Sequence, residues 1–285
     1  MLIYFFYKFA RFLALHLPLK AGYKIAVFIS DFRYIFTPRD RINVAGNLSA
    51  IFPDKSKKEI ESIQIEIFRN FAKYLVDFFR FSELDAGYIK KNIKLENLDY
   101  LDEALSKGRG AIVLSAHLGN WELGGAVLAL LGYHFWGVAL MHKCKKINDF
   151  FNFQRQSKGV KVIPLGNAVR QCLEVLGKNE IVALIGDRDF SEKGIVADFF
   201  NKPTFFPPGP AAFCLKTGSP IVPVFMLRNR DDTFTLKVEK PIEFPPSGDK
   251  NKDMLKLINR YKLIIENYIR AYPGQWYMFR RFWIS

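Results

Sequence analysis

The sequence predicts an α/β fold: a largely parallel central sheet flanked by helices, with an amphipathic helical membrane anchor at the N-terminus. Three observations carry this. From residue 111 onward short β-rich runs alternate with helical ones, the rhythm of strand, crossover and parallel strand. The chain has 285 residues, nearly half of them hydrophobic, enough for a sizeable core. No internal repeat, low-complexity tract or interdomain linker interrupts it. The simplest organisation is a helical anchor over 1–36 and one α/β domain over 37–285.

The first 36 residues are the most apolar stretch, but Lys8, Arg11, Lys20 and Lys24 break it too often for an uncharged span of the ~18–20 residues a bilayer needs. A secretory signal would need a small-residue cleavage site, and none is evident. Tyr4, Lys8 and Arg11 fall at i, i+4 and i+7, one polar stripe on a helix otherwise covered in Leu, Phe and Ile; Lys20, Lys24 and Asp31 repeat it after Pro18. This is the layout of helices lying in the membrane interface, cations near the headgroups. Through Arg41 there are seven Lys/Arg against two Asp, which suits an anionic leaflet. Two other readings stay open: an amphipathic pair capping a soluble core, and a short snorkelling span by the first helix.

Helical periodicity continues over 39–52 and 54–81. In the second of these, an acid-rich start over 54–58 precedes Ile60, Ile63, Ile67, Phe71 and Leu75. Strands are expected at 111–116, 135–140, 160–164, 181–186, 195–200, 221–227 and 234–239, and helices at 119–131, 146–157, 167–177, 209–217 and 251–271. The segment 244–253 reads as a solvated loop.

Net charge is +14, from 42 Lys+Arg against 28 Asp+Glu, and favours an anionic partner: nucleic acid, anionic lipid or an acidic carrier protein. No helix-turn-helix or RNA-recognition signature accompanies the charge, so no nucleic-acid partner is expected. The 28 Phe imply unusually greasy surface or a membrane neighbour. Cys144, Cys172 and Cys214 are widely spaced and odd in number, which suggests neither a disulfide framework nor a zinc cluster. They read as reduced thiols in a cytosol-facing protein.

The stretch "SAHLGNWELGG", 115–125, interrupts otherwise plain core sequence with an ionisable pair. His117 follows the strand at 111–116, and in open α/β sheets ligands bind beyond the carboxyl ends of strands. On one regular helix His117 and Glu122 would point ~140° apart. They meet only if His117 sits on the preceding turn, with Gly119 allowing the bend. The carboxylate would then hold one imidazole nitrogen and leave the other to take a proton. A second reading also stands: a satisfied polar strand end followed by a helix N-terminal acid. No histidine pair has the i, i+4 spacing of a zinc site, and no metal is expected.

The surrounding residues add a resemblance. "HLGNWE" resembles the HxGNWE signature of the lipid A biosynthesis acyltransferase family, relatives of the glycerolipid acyltransferases. "FNFQRQSKGVKVIPLG", "ALIGDRDFSEKGIVADFFNKPTFFPPGPAAFCLKTGSPIVPVF" and "PGQWYMFRRFW" are similar to that family's later blocks, in family order, over roughly 40–283. The resemblance implies a membrane-associated O-acyltransferase that moves a fatty acyl chain from a thioester to a hydroxyl of a lipid A precursor. His117 would be the base and Glu122 its orienter. Arg155 would bind an anionic part of the substrate, as a guanidinium suits phosphate. Asp187 and Arg188 would border the active site, and Asn120, inside the signature, would contact substrate.

A thioester already has a good leaving group, so direct transfer without an acyl-enzyme is expected, and no cofactor beyond the acyl carrier protein or coenzyme A thioester. The implied partners are that donor, anionic membrane lipids and a glycolipid acceptor, at the cytoplasmic face of the inner membrane. Related enzymes acylate other glycolipids, and a non-catalytic basic membrane-binding protein of the same fold is a third class. "PGP", 208–210, would offer backbone N–H groups at a helix start. Arg280 and Arg281 would meet headgroup phosphate or form a basic tail.

Overall fold

The computed structural model describes residues 2–189 and 193–284. Four helices open the chain: α1 (Leu2–His16), α2 (Leu19–Phe36), α3 (Pro38–Ile51) and α4 (Lys57–Phe79). Pro18 breaks α1 from α2, and Pro38 starts α3 where its missing N–H costs nothing. A capping box starts α4: the Glu59 amide donates to Ser56 Oγ at 3.3 Å and the Ser56 amide to Glu59 Oε2 at 2.9 Å. No helix among the described residues is long and apolar enough to cross a membrane.

The α/β part follows as α5 (Ala86–Asn92), β1 (Ile93–Glu96), α6 (Asp99–Ser106), β2 (Ala111–Ser115), α7 (Trp121–Leu130), β3 (Phe135–Ala139), α8 (Lys145–Gln156) and β4 (Lys161–Pro164). Next come α9 (Ala168–Gly177), β5 (Ile181–Ile185), β6 (Ile195–Phe199), β7 (Lys202–Phe206), α10 (Gly209–Thr217), β8 (Ile221–Arg228), β9 (Phe234–Val238) and α11 (Lys250–Ala271). Seven strands form one sheet in the order β1-β9-β8-β2-β5-β3-β4, in which only β8 and β9 pair antiparallel.

The run at 195–200 is not part of that sheet. β6 pairs antiparallel with β7 in a separate hairpin, turned by Phe200 and Asn201 with φ of 51° and 60°. Two consecutive positive φ values are what a tight hairpin needs. Also absent from the sequence-based expectation are α5, β1 and α6, short and charged elements with little periodicity of their own.

The centre of the sheet is buried on both faces, which is why β2 reads as an unbroken apolar run. Ile112 and Leu114 pack with α9, α10 and α11, whereas Ala111 and Val113 face α6 and α7. Burying one such Ile or Leu side chain stabilises by ~2 kcal/mol. The helices α1 and α2 pack on this body: the Tyr7 ring meets Phe79, Phe150 and Phe151 at 5.5–6.1 Å. Asparagines of α3 and α4 strap the segment 274–282 in place. Asn47 Nδ2 donates to the carbonyls of Met278 and Arg280, and Asn70 Nδ2 to that of Gly274.

Candidate active site

Strands β2 and β5 are parallel neighbours in the register Ala111↔Ile181 through Ser115↔Ile185. His117 and Asp187 each stand two residues past the end of their strand, so the register carries them side by side, neighbouring strands being ~4.8 Å apart. His117 Nδ1 donates to Asp187 Oδ1 at 2.8 Å, and the His117 amide to Asp187 Oδ2 at 3.0 Å. Trp276 Nε1 donates to the same Oδ2 at 3.0 Å. Asp187 is fully buried. Burial alone would raise its carboxyl pKa, but the His117 charge and the hydrogen bonds from His117 and Trp276 together outweigh burial and hold it below the ordinary range. A carboxylate only accepts, so Nδ1 carries the proton and Nε2 is the basic nitrogen of the neutral ring.

The turn after His117 is fixed on both sides. The Gly119 amide donates to the Gln275 carbonyl and the Asn120 amide to that of Met226; the His117 carbonyl accepts from the Tyr277 amide. Gly119 has φ +64°, and a Cβ there would lie 2.1 Å from the Met226 carbonyl oxygen, so no other residue fits.

Glu122 is not on the imidazole. In the first turn of α7 it faces α8, where Arg155 grips it with a fork: Nε to Oε2 at 2.9 Å and NH2 to Oε1 at 2.5 Å. The expected carboxylate partner of His117 thus exists but comes from Asp187. A residue starting α7 points to the neighbouring helix, whereas a residue ending the adjacent strand points along the sheet edge. Arg155 is thus already engaged by Glu122, and its NH1 also donates to Asn152 Oδ1 at 3.3 Å. Burial would lower the Arg155 pKa; the charge and hydrogen bonds of Glu122 outweigh that and raise it.

Asn120, expected to contact substrate, is 2% exposed and caps α7: its Oδ1 accepts from the Leu123 amide at 3.0 Å and its Nδ2 donates to Asp77 Oδ2 at 2.9 Å. Asp189 Oδ2 accepts the amides of Lys193 and Gly194. Arg188 lines the cavity, as do Pro208, Gly209 and Pro210 at the start of α10. Arg280 and Arg281 are exposed and not part of the cavity wall.

That cavity has a volume of about 670 Å³, with His117, Trp121, Glu122 and Arg155 at its polar end. Its apolar wall includes Val113, Ala183, Val224, Met226, Phe135 and Leu128. Small residues make the room: Gly124 and Gly125 on α7, Gly137 on β3 and Ala183 on β5 all line it. A Cβ on Gly125 would lie 2.9 Å from the Phe135 ring. A channel this apolar with polar groups gathered at one end suits a long hydrocarbon chain with a reactive head. Cys172 and Cys214 are buried and line none of it, and burial pushes both thiols up to about 11.

Sequence reasoning placed Asp187 near the site without giving it the imidazole, and it missed Trp276 as a partner. The usable signal was the position of both His117 and Asp187 just past an apolar strand. Trp276 had only its place in the C-terminal signature.

Fold and site together define an α/β protein with a His–carboxylate pair at the mouth of an apolar cavity. The model of the bacterial lipid A biosynthesis acyltransferase family matches residues 1–285, and the chain belongs to that family. It is similar to the phosphatidylinositol mannoside acyltransferase of Mycolicibacterium smegmatis, 30% identical over 220 residues that cover 76% of this chain and 70% of the relative. The protein of the same name from Mycobacterium tuberculosis H37Rv is 30% identical over 223 residues, covering 76% and 68%. The lipid A biosynthesis palmitoleoyltransferase of Escherichia coli K12 is 27% identical over 242 residues, covering 83% and 76%. These relatives are acyltransferases by name, and this chain is an acyltransferase of their family.

Proposed function

We propose that the protein transfers a fatty acyl chain from an acyl carrier protein or coenzyme A thioester directly to a hydroxyl of a phosphorylated membrane glycolipid, a lipid A precursor being the first acceptor to try. The observation that carries this is the His117–Asp187 pair at the head of the apolar cavity. With Nδ1 held by Asp187, Nε2 takes the proton of the acceptor hydroxyl as its oxygen attacks the thioester carbon. The tetrahedral intermediate then collapses, the acyl–sulfur bond breaks, and the imidazolium returns the proton to the departing thiolate. Asp187 fixes the tautomer and stabilises the imidazolium. The cavity under α7 holds the acyl tail.

A lipid surface fits the outer faces of α1 and α2. Phe5, Phe9 and Phe12 on α1 and Phe28, Ile29 and Phe32 on α2 are each more than half exposed. Exposed aromatics beside Lys and Arg are the composition of an interfacial helix. The protein would sit peripherally on the cytoplasmic face of the inner membrane.

The test is to incubate the protein with acyl thioester and detergent-dispersed lipid A precursor, beside His117→Ala, and weigh the lipids by mass spectrometry. A gain of one acyl chain that needs His117 is expected. The phosphatidylinositol mannoside class is the second acceptor to try, because the mycobacterial relatives reach 30% identity. His117-independent thioester loss from folded protein would refute the base assignment.

A further inference from the structure

A second buried charge cluster lies outside the cavity wall. Asp77, near the end of α4, and Arg228, at the end of β8, have side chains 2% and 5% exposed and form an ion pair. Asp77 Oδ2 accepts from Arg228 and from Asn120 Nδ2. Asp77 Oδ1 accepts from the Tyr23 hydroxyl, and from no other donor among the described residues. The Tyr23 ring is itself faced by the Arg228 guanidinium at 5.0 Å and the Lys73 ammonium at 5.5 Å. None of these four side chains, Tyr23, Asp77, Asn120 or Arg228, lines the cavity. Well-packed apolar residues stabilise a core at least as well as a buried ion pair does, so its presence asks for another reason.

The connections supply one. Asn120 caps α7 with one end of its amide and holds Asp77 with the other, and it is three residues past His117. Arg228 exchanges backbone hydrogen bonds with the Gln275 side chain at 2.9 and 2.8 Å, next to Trp276, which holds Asp187. Both supports of the His117–Asp187 pair therefore run back to this cluster. On its other side is Tyr23, inward on α2. The outer stripe of that same helix, Ile25, Phe28, Ile29, Phe32 and Phe36, is exposed at i, i+3, i+4, i+7 and i+11. Asp31 is paired with Arg69 and Asp40 with Arg33, whereas Lys20 and Lys24 of α2 are exposed and in no ion pair among the described residues, so the helix carries net positive charge beside its aromatic stripe. An anionic bilayer is the occupant that combination fits.

We propose that Tyr23 and Asp77 are positioning residues for acyl transfer, holding the His117 turn through Asn120, and that Tyr23 makes that hold depend on how α2 seats on anionic lipid. Without the Tyr23 hydroxyl, Asp77 Oδ1 is a buried acceptor in need of a donor. Arg228 has the fork to take both oxygens, and the carboxylate then turns off Asn120. The cap of α7 loosens and the imidazole leaves its line with the thioester. The inference rests on the proposed active site, so its test contains a separate control for that site.

Hydrolysis of octanoyl-coenzyme A, with water in place of the acceptor hydroxyl and free thiol as the readout, is measured with and without phosphatidylglycerol vesicles. Wild type, Tyr23→Phe, the double variant Phe28→Asp/Phe32→Asp and His117→Ala are compared, each with vesicle flotation and a melting curve. Wild type is expected to speed up on vesicles. Tyr23→Phe should float normally yet lose most of that stimulation and roughly tenfold in kcat with little change in KM, the size of one lost hydrogen bond to a charge. The double variant, changed only on the exposed stripe, should lose flotation and stimulation and keep its vesicle-free rate, and it carries the test if Tyr23→Phe does not fold. Stimulation of Tyr23→Phe equal to wild type, no stimulation of wild type, or stimulation surviving the loss of flotation would each overturn the proposal. Full activity of His117→Ala would instead remove the active site on which it stands.

Discussion

His117 and Glu122 are five residues apart and face one cavity, yet they are held in opposite ways. His117 is paired across the sheet to a fully buried Asp187, and the charge of that pair changes whenever the imidazole gains or loses a proton. Glu122 is paired across helices to Arg155, with side chains 13% and 14% exposed, and a guanidinium does not titrate in a protein. The first pair is suited to moving a proton. The second is a fixed brace between α7 and α8 at the head of the cavity. Damage to the first should appear in turnover, and damage to the second in stability and cavity shape.

The sharpest break is His117→Ala, which should lower turnover by ~10²–10⁴-fold with the fold and vesicle flotation retained. Asp187→Asn keeps the shape but favours the wrong tautomer, and should cost ~10²–10⁴-fold in kcat, the range of the base itself. A fall no greater than that of Glu122→Gln, measured side by side, would erase the distinction between the pairs. Glu122→Ala leaves the largely buried Arg155 without its partner and should destabilise the fold by ~2 kcal/mol in denaturant titrations. Its loss in kcat should be smaller than that of Asp187→Asn.

Acid gives a second test of the first pair. The Asp187 pKa is depressed in the folded state, so its contribution to stability is present above the ordinary carboxylate pKa and is lost as pH falls through the folded value. The stability gap between wild type and Asp187→Asn should therefore shrink below about pH 4. A gap that widens on acidification would refute the ionised assignment. The smallest effect concerns the tail of the cavity. Gly137→Val places its Cβ 3.9 Å from Val160, an ordinary contact, so it takes space from the cavity without disturbing the backbone. The products should shift to shorter acyl chains at nearly unchanged stability, read by mass spectrometry.

The sequence disclosed the turn but not the partners, for a physical reason. β2 announces itself because both faces are buried, and α7 because Asn120 and Glu122 start it. His117 pairs with Asp187 through parallel strand register, which is set by two apolar runs with no local signature of which residue stands opposite which. The same blindness misplaced 195–200 in the main sheet: its alternation fits either a parallel strand or a hairpin, and the turn that decides it is a phenylalanine at positive φ. Nothing in the helical periodicity of their segments marks Asp77 or Tyr23, and only packing shows that they meet. The apolar surface of α1 and α2 was legible because it is a matter of composition.

One consequence of the β2–β5 register concerns how the molecule comes into being. His117 and Asp187 are 70 residues apart in the chain, and Trp276 is a further 89 beyond Asp187. Contacts this distant form late, after long loops have closed. During refolding, helical signal should therefore return well before thioester turnover does, and a chain stopped after β5 would carry both strands of the pair without the tryptophan that completes the carboxylate's setting. Activity in this architecture reports the closing of the whole sheet, and so can serve as a clock for its assembly.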